Sequence, residues 1–164
     1  MFEPNLRFSK FTDITPAALI DCGVKGVLLD IDNTISYFKG ERLFDGVTDT
    51  LSKLSSGGIS VVIFSNGKYD RIEKFVNDNS LNCEFIAPAL KPLTFKTDAA
   101  KKLLGLNKSE IAVVGDQVFT DMAFAAFSGL KKIYVEPTLL ETSAFFKFKR
   151  SLEKIIKKGW KGAK

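Results

Sequence analysis

Five short apolar runs restrict what this chain can fold into. They lie at 24–29, 59–64 (I-S-V-V-I-F), 84–87, Ile111–Gly115 (I-A-V-V-G) and Lys131–Val135. Continuous apolar runs of this length match parallel strands buried on both faces. Helix-length stretches separate them, near 45–55, 69–79, 94–105 and 118–127. Leu51, Leu54, Ile72, Phe75, Val76, Leu103 and Leu104 fall at helical spacing within these stretches. Gly57-Gly58, Gly105 and Gly129 stand where helices should stop. Thr15-Pro16 offers an N-cap followed by a first-turn proline, and Gly23 should end that short helix. The alternation predicts an α/β fold: a doubly wound, Rossmann-like sheet of five parallel strands. With no linker or internal repeat, residues 1–164 are expected to form one domain.

Ligands of such sheets bind beyond the carboxyl ends of strands, at a topological switch point. Four runs end in polar groups of different chemistry. Asp30-Ile31-Asp32-Asn33-Thr34 follows the first, Ser65-Asn66 the second, Lys91-Pro92 the third and Asp116-Gln117-Val118-Phe119-Thr120-Asp121 the fourth. Singly, each reads as an ordinary turn, cap or surface lysine. Four strand ends each carrying an apt group make a specific signal. The chain has no histidine, which excludes Ser-His-Asp and Cys-His catalysis and imidazole zinc sites. Its two cysteines, Cys22 and Cys83, form no C-x-x-C pair and are expected to be reduced and largely buried.

The segments L-L-D-I-D-N-T-I, F-S-N, K-P and V-V-G-D-Q-V-F-T-D resemble the four motifs of the haloacid dehalogenase superfamily of aspartate-nucleophile phosphatases. With I-T-P before the first strand and a basic, aromatic C-terminal helix, nearly the whole chain is similar to the capless YqeG-like branch, subfamily IIIA. Relatives there include phosphatidylglycerophosphate phosphatases. Gly67 after Ser65-Asn66 and Leu90 before Lys91 depart from the residues usual in that branch. The resemblance implies Asp30 as nucleophile, since a carboxylate can attack phosphorus and form an aspartyl-phosphate. Asp32, two residues on, would protonate the leaving alkoxide and then deprotonate water. Repelling anions call for Mg²⁺, which prefers oxygen ligands. Its expected ligands are the Asp30 carboxylate, the Asp32 main-chain carbonyl, Asp116 and Asp121, the last directly or through water. Ser65 and neighbouring N–H groups would hold phosphoryl oxygens. Lys91 would offset transition-state charge. Asn66 is a further phosphate-site candidate, or it fixes the turn. An acid at position 32 favours phosphate esters over dehalogenation.

There are 26 residues between Thr34 and Val61 and 24 between Asn66 and Lys91. An inserted cap domain needs at least about 50 residues, so no cap and an open site are expected. An open site suits a phosphate displayed on something large. The last 20 residues hold eight Lys/Arg and one acid, whereas the other 144 carry a net charge of −2. On a helical wheel Phe145, Phe148, Leu152, Ile155, Ile156 and Trp160 form one apolar stripe. Arg150, Lys154, Lys157, Lys158, Lys147 and Lys161 fall opposite. A basic amphipathic helix over about 141–160 could lie on an anionic membrane, or pack its stripe on the protein with the lysines in water. All predicted site groups lie at or before Asp121. Residues 1–10 lack a secretory h-region and no apolar run approaches 18 residues. The expectation is a cytoplasmic protein, with peripheral contact to the membrane's cytoplasmic face as an option. The expected activity is Mg²⁺-dependent phosphomonoester hydrolysis, with phosphatidylglycerophosphate, an anionic lipid headgroup, as the favoured substrate. The alternatives are soluble sugar phosphates or nucleic-acid ends, and a membrane or nucleic-acid binding protein with an idle site. Nucleic acid is the disfavoured partner, because the body of the chain is mildly acidic.

Overall fold

The structure, a computed structural model, describes residues 1–138 and 144–160, and of 144–146 the backbone alone. Its elements in chain order are β1 (Leu6–Phe8), α1 (Pro16–Asp21), β2 (Gly26–Leu29), α2 (Val47–Ser56), β3 (Ser60–Phe64), α3 (Tyr69–Asp78), β4 (Glu84–Ile86), α4 (Thr97–Leu104), β5 (Ile111–Gly115), α5 (Ala123–Ser128), β6 (Lys131–Val135) and α6 (Ala144–Lys158). The strands form one parallel sheet in the order β1-β6-β5-β2-β3-β4. It has six strands where five were expected. The extra one, Leu6-Arg7-Phe8, is three residues long with a charge in the middle, so it shows no apolar run. Its pairing with β6 makes it a strand.

The sheet is covered on both faces. Val27, Leu29, Ile63, Val114 and Ile133 point to one side and pack with Leu19 of α1, Leu54 of α2 and Ile72 and Phe75 of α3. Leu28, Val62, Phe64 and Val113 point to the other and pack with Ala100 of α4 and Phe124 and Ala125 of α5. This period-2 division is what buries both faces of β2, β3 and β5. The Thr15 hydroxyl caps α1 by accepting from the Ala18 amide at 3.2 Å. Gly105 and Gly129 end α4 and α5 with φ of +65° and +70°, and a Cβ at either would meet nothing. Their role is therefore backbone conformation and not close packing. Both cysteines are half-buried and unpaired.

β2 and β5 are neighbours, and the chain leaves β2 toward β3 and β4 but leaves β5 toward β6. The switch point lies between them, where Asp30 and Asp116 emerge. Between β2 and β3 stand only α2 and a short flap. In the flap the amides of Thr34, Ile35 and Ser36 all bond the Ile31 carbonyl, and Ser36 bridges to Leu43. No inserted cap appears among the described residues. No described helix is long and apolar enough to cross a membrane.

Candidate active site

Asp30 leaves β2 with its amide on the Val114 carbonyl at 2.9 Å, so the two central strands fix its backbone. Its Oδ1 accepts from Lys91 Nζ at 2.7 Å. That ammonium also donates to Asp121 Oδ1 at 2.7 Å and to the Phe64 carbonyl at 2.8 Å. All three Lys91 donors are therefore engaged. Asp116 and Asp121 are fully buried, while Asp30 and Lys91 each keep 6% exposure. The nucleophile candidate thus sits at the mouth and the other acids on the floor. The chain from Gln117 to Ala123 makes a wide π-helical turn, Val118–Met122, instead of the continuous helix expected from 118. That turn brings Asp121 back against β5. A Cβ on Gly115 would lie 2.3 Å from Asp121 Cγ, so the glycine at the end of V-V-G is what admits this carboxylate.

One oxygen each from Asp30, Asp116 and Asp121 lie within 4.8 Å of one another. Asp116 Oδ1 is buried with no hydrogen-bond partner. Converging carboxylate oxygens, one of them unsatisfied, are the donor set that a hard divalent cation takes, and the cluster could hold a metal ion. Burial pushes the Asp30 carboxyl up to about 7; Lys91 opposes the rise and Asp121 adds to it. Burial likewise holds Asp116 well above the usual carboxylate range, with Arg150 opposing and Asp121 and Asp30 adding. Burial alone would lower the Lys91 ammonium, but Asp121 and Asp30 outweigh it and hold it above its ordinary value. These acids need positive charge beside them to ionise together.

Asp32 does not join this cluster. Its carboxylate accepts two hydrogen bonds from Arg71 on α3, one at 3.0 Å, and one from the Lys39 amide at 2.8 Å. Arg71 has no mark in the sequence, because it lies on the polar face of an amphipathic helix. The Ser65 hydroxyl is buried and accepts from the Gly67 amide at 3.1 Å. The Asn66 side chain bonds the Lys91 backbone twice. Its Oδ1 accepts from the Lys91 amide at 2.7 Å and its Nδ2 donates to the Lys91 carbonyl at 2.8 Å. Asn66 therefore clamps the loop that carries Lys91.

The largest correction concerns α6. Arg150, placed by the wheel among the solvent-facing bases, is 7% exposed. It is ion-paired with Asp116 Oδ2 and donates to the Asp116 carbonyl at 2.8 Å and to Glu153 Oε2 at 2.9 Å. Glu153 Oε1 in turn accepts from the Val118 amide at 2.9 Å. A site group therefore lies beyond Asp121. Lys157 also turns inward, to Glu136 at 2.6 Å and the Tyr134 hydroxyl at 3.1 Å. The apolar stripe divides. Ile156 and Trp160 pack with Val118, Met122 and Tyr134. Phe148, Leu152 and Ile155 are exposed, the first and last by about two thirds. The Phe145 side chain, residues 141–143 and Lys161 lie outside the described residues.

Residues 1–139 match the family model described as mitochondrial PGP phosphatase. The chain belongs to this family. It is 28% identical over 155 residues to the probable phosphatase YqeG of Bacillus subtilis, spanning 94% of this chain and 89% of that protein. It is 24% identical over 146 residues to phosphatidylglycerophosphate phosphatase 1 of Arabidopsis thaliana, covering 84% of this chain but 42% of that longer protein. Its fold matches the crystal structure of a haloacid dehalogenase-like hydrolase from Brucella suis, with a TM-score of 0.53, 12% identity and coverage of 77% and 93% of the two chains. The chain is thus a phosphatase by family, and its fold is that of a haloacid dehalogenase-like hydrolase.

Proposed function

We propose that the protein is a Mg²⁺-dependent phosphomonoesterase that removes the terminal phosphate of phosphatidylglycerophosphate through an aspartyl-phosphate on Asp30. The observation that carries the chemistry is the convergence of Asp30, Asp116 and Asp121, with Asp116 Oδ1 buried and unpartnered and an ammonium already in place. Asp30, Asp116 and Asp121 would hold Mg²⁺ with the Asp32 carbonyl, and the bound ion would neutralise the phosphoryl oxygens as Asp30 approaches. Asp30 attacks phosphorus, and the bond from phosphorus to the glycerol oxygen breaks. Lys91 stays between Asp30 and Asp121 and offsets the developing charge. Asp32 gives the leaving oxygen its proton, then takes one from the water that frees Asp30. As found, Asp32 is paired with Arg71. An anionic substrate competes for that guanidinium, and its arrival leaves Asp32 able to carry a proton. In this reading Ser65 donates to a phosphoryl oxygen.

The lipid substrate is supported by the family and by the outer face of α6. Phe148, Leu152 and Ile155 stand at spacings of four and three on one exposed ridge, beside the exposed Lys147, Lys154 and Lys158. Apolar side chains flanked by lysines fit an anionic membrane surface, so we place the protein peripherally on such a surface. Residues 1–164 form one catalytic unit in this reading. The test is phosphate release with Mg²⁺ from phosphatidylglycerophosphate in mixed vesicles, set against a panel of soluble sugar phosphates and nucleic-acid ends. We expect the lipid to be turned over at least tenfold faster per unit concentration. Equal or better turnover of a soluble ester would overturn the lipid assignment, and no turnover of any ester would overturn the enzyme.

A further inference from the structure

We infer that Arg150 is a positioning residue for metal binding: α6 reaches into the site to fix the rotation of the Asp116 carboxylate. This rests on the reading of Asp116 as a cation ligand. A free carboxylate at the end of a strand can turn about its last bond and present either oxygen. Here Arg150 occupies Oδ2 and, through its other nitrogen, the carbonyl of the same residue. That two-point contact leaves Oδ1 as the oxygen without a hydrogen-bond partner, on a carboxylate that has an oxygen within 4.8 Å of those of Asp30 and Asp121. A planar fork makes such a contact and an ammonium does not. Arg150 is itself fixed by Glu153, whose second oxygen is tied to the Val118 amide at the start of the turn that carries Asp121. One arginine–glutamate pair thus sets both floor acids. The pair is neutral overall, so its contribution to cation binding comes through orientation more than charge. A positive charge acting alone would repel a cation.

The experiment measures Mg²⁺ binding by calorimetry, and Mn²⁺ binding by its paramagnetic resonance signal, in the full chain. The variants are Arg150→Met, Arg150→Lys, Arg150→Met with Glu153→Met, and Asp116→Asn. Losing a partner that orients a ligand typically weakens metal binding about 10–100-fold. We expect a loss of that size in Arg150→Met and in the double variant, with a smaller loss in Arg150→Lys. The Mg²⁺ concentration for half-maximal activity should rise in parallel, while kcat at saturating Mg²⁺ stays within a few-fold. Circular dichroism without metal reports folding, and if Arg150→Met does not fold, Arg150→Lys carries the test. Unchanged or tighter binding in a folded Arg150 variant would overturn the positioning role. Unchanged binding in Asp116→Asn would instead overturn the metal site on which the role rests.

Discussion

The carboxyl ends of β2 and β5 and the helix α6 meet at Asp116, yet different forces hold them there. The strand ends are placed by the sheet. Asp30 and Asp116 follow strands buried on both faces, whose register is fixed by ladders on each side. α6 is placed by side chains: one inward arginine, one buried glutamate, and the contacts of Ile156 and Trp160. A backbone ladder positions whatever residue stands at its end, so the acids can be destabilising and still stay in place. An ion-pair network depends on each member. Substitutions in the first region should therefore damage chemistry and spare stability, and those in the second should damage stability and metal affinity more than the chemical step.

The largest effect belongs to Asp30→Asn. Turnover should fall by about 10⁴-fold or more, as expected on removing a nucleophile. Above pH 7 the metal-free variant should melt at the same or a higher temperature than the native chain, since burial raises the Asp30 carboxyl despite Lys91 and that ammonium keeps Asp121 as its partner. A lowered melting temperature would break the contrast between the regions. Asp32→Asn should slow hydrolysis of esters with poor leaving groups by roughly 10²–10⁴-fold. An activated aryl phosphate, which needs no proton, should be affected far less. Equal losses on both substrates would remove Asp32 from the acid–base role.

Glu153→Gln tests the second region. It leaves the buried Arg150 with one carboxylate, and breaking a buried pair costs about 3–5 kcal/mol. Calorimetric melting should fall by roughly 6–20 °C on the scaling for a chain of this size. A fall under 2 °C would show that the network adds little. The pH dependence separates the regions again. Asp30 holds its proton up to about 7 in the folded chain but only to 3.8 when unfolded. Between those values the folded state binds more protons, so metal-free stability should fall as pH rises from 4 to 7. Saturating Mg²⁺ should flatten or reverse that slope. The smallest effect concerns the outer face of α6. Each lysine near an anionic surface contributes about 1 kcal/mol at low salt. Replacing Lys147, Lys154 and Lys158 by glutamine should weaken vesicle sedimentation and lipid turnover and spare a soluble ester. Unchanged sedimentation would leave those lysines as a solvated face.

The strand-end acids were legible because a doubly wound sheet converts linear position into a common edge. Knowing that Asp30 and Asp116 each follow an apolar run, and that Lys91 follows the third run in the loop beyond it, suffices to bring them to one edge. All five expected strands start and end within two residues of the expected positions. β1 was hidden because three residues carry no pattern. Asp121 was legible by motif alone, since the π-helical turn that delivers it has no period to read. Arg71, Arg150 and Glu153 were not legible as site groups. A helical wheel averages over side chains and treats a lone arginine among lysines as solvent-facing. Only the partner across the fold, Asp116, reveals that Arg150 is turned inward. The split of the apolar stripe, with Ile156 inward and Phe148 outward, has the same origin.

The most direct test is to trap the intermediate. An acyl phosphate is reduced by borohydride to an alcohol, whereas a free carboxylate is not. The enzyme should be quenched during turnover with Mg²⁺ and substrate, treated with borohydride and mapped by peptide mass spectrometry. Conversion of Asp30 to homoserine, absent without substrate and absent in Asp30→Asn, is the predicted result. Reduction at Asp32, Asp116 or Asp121 instead, or full turnover with Asp30 unmodified, would contradict the account.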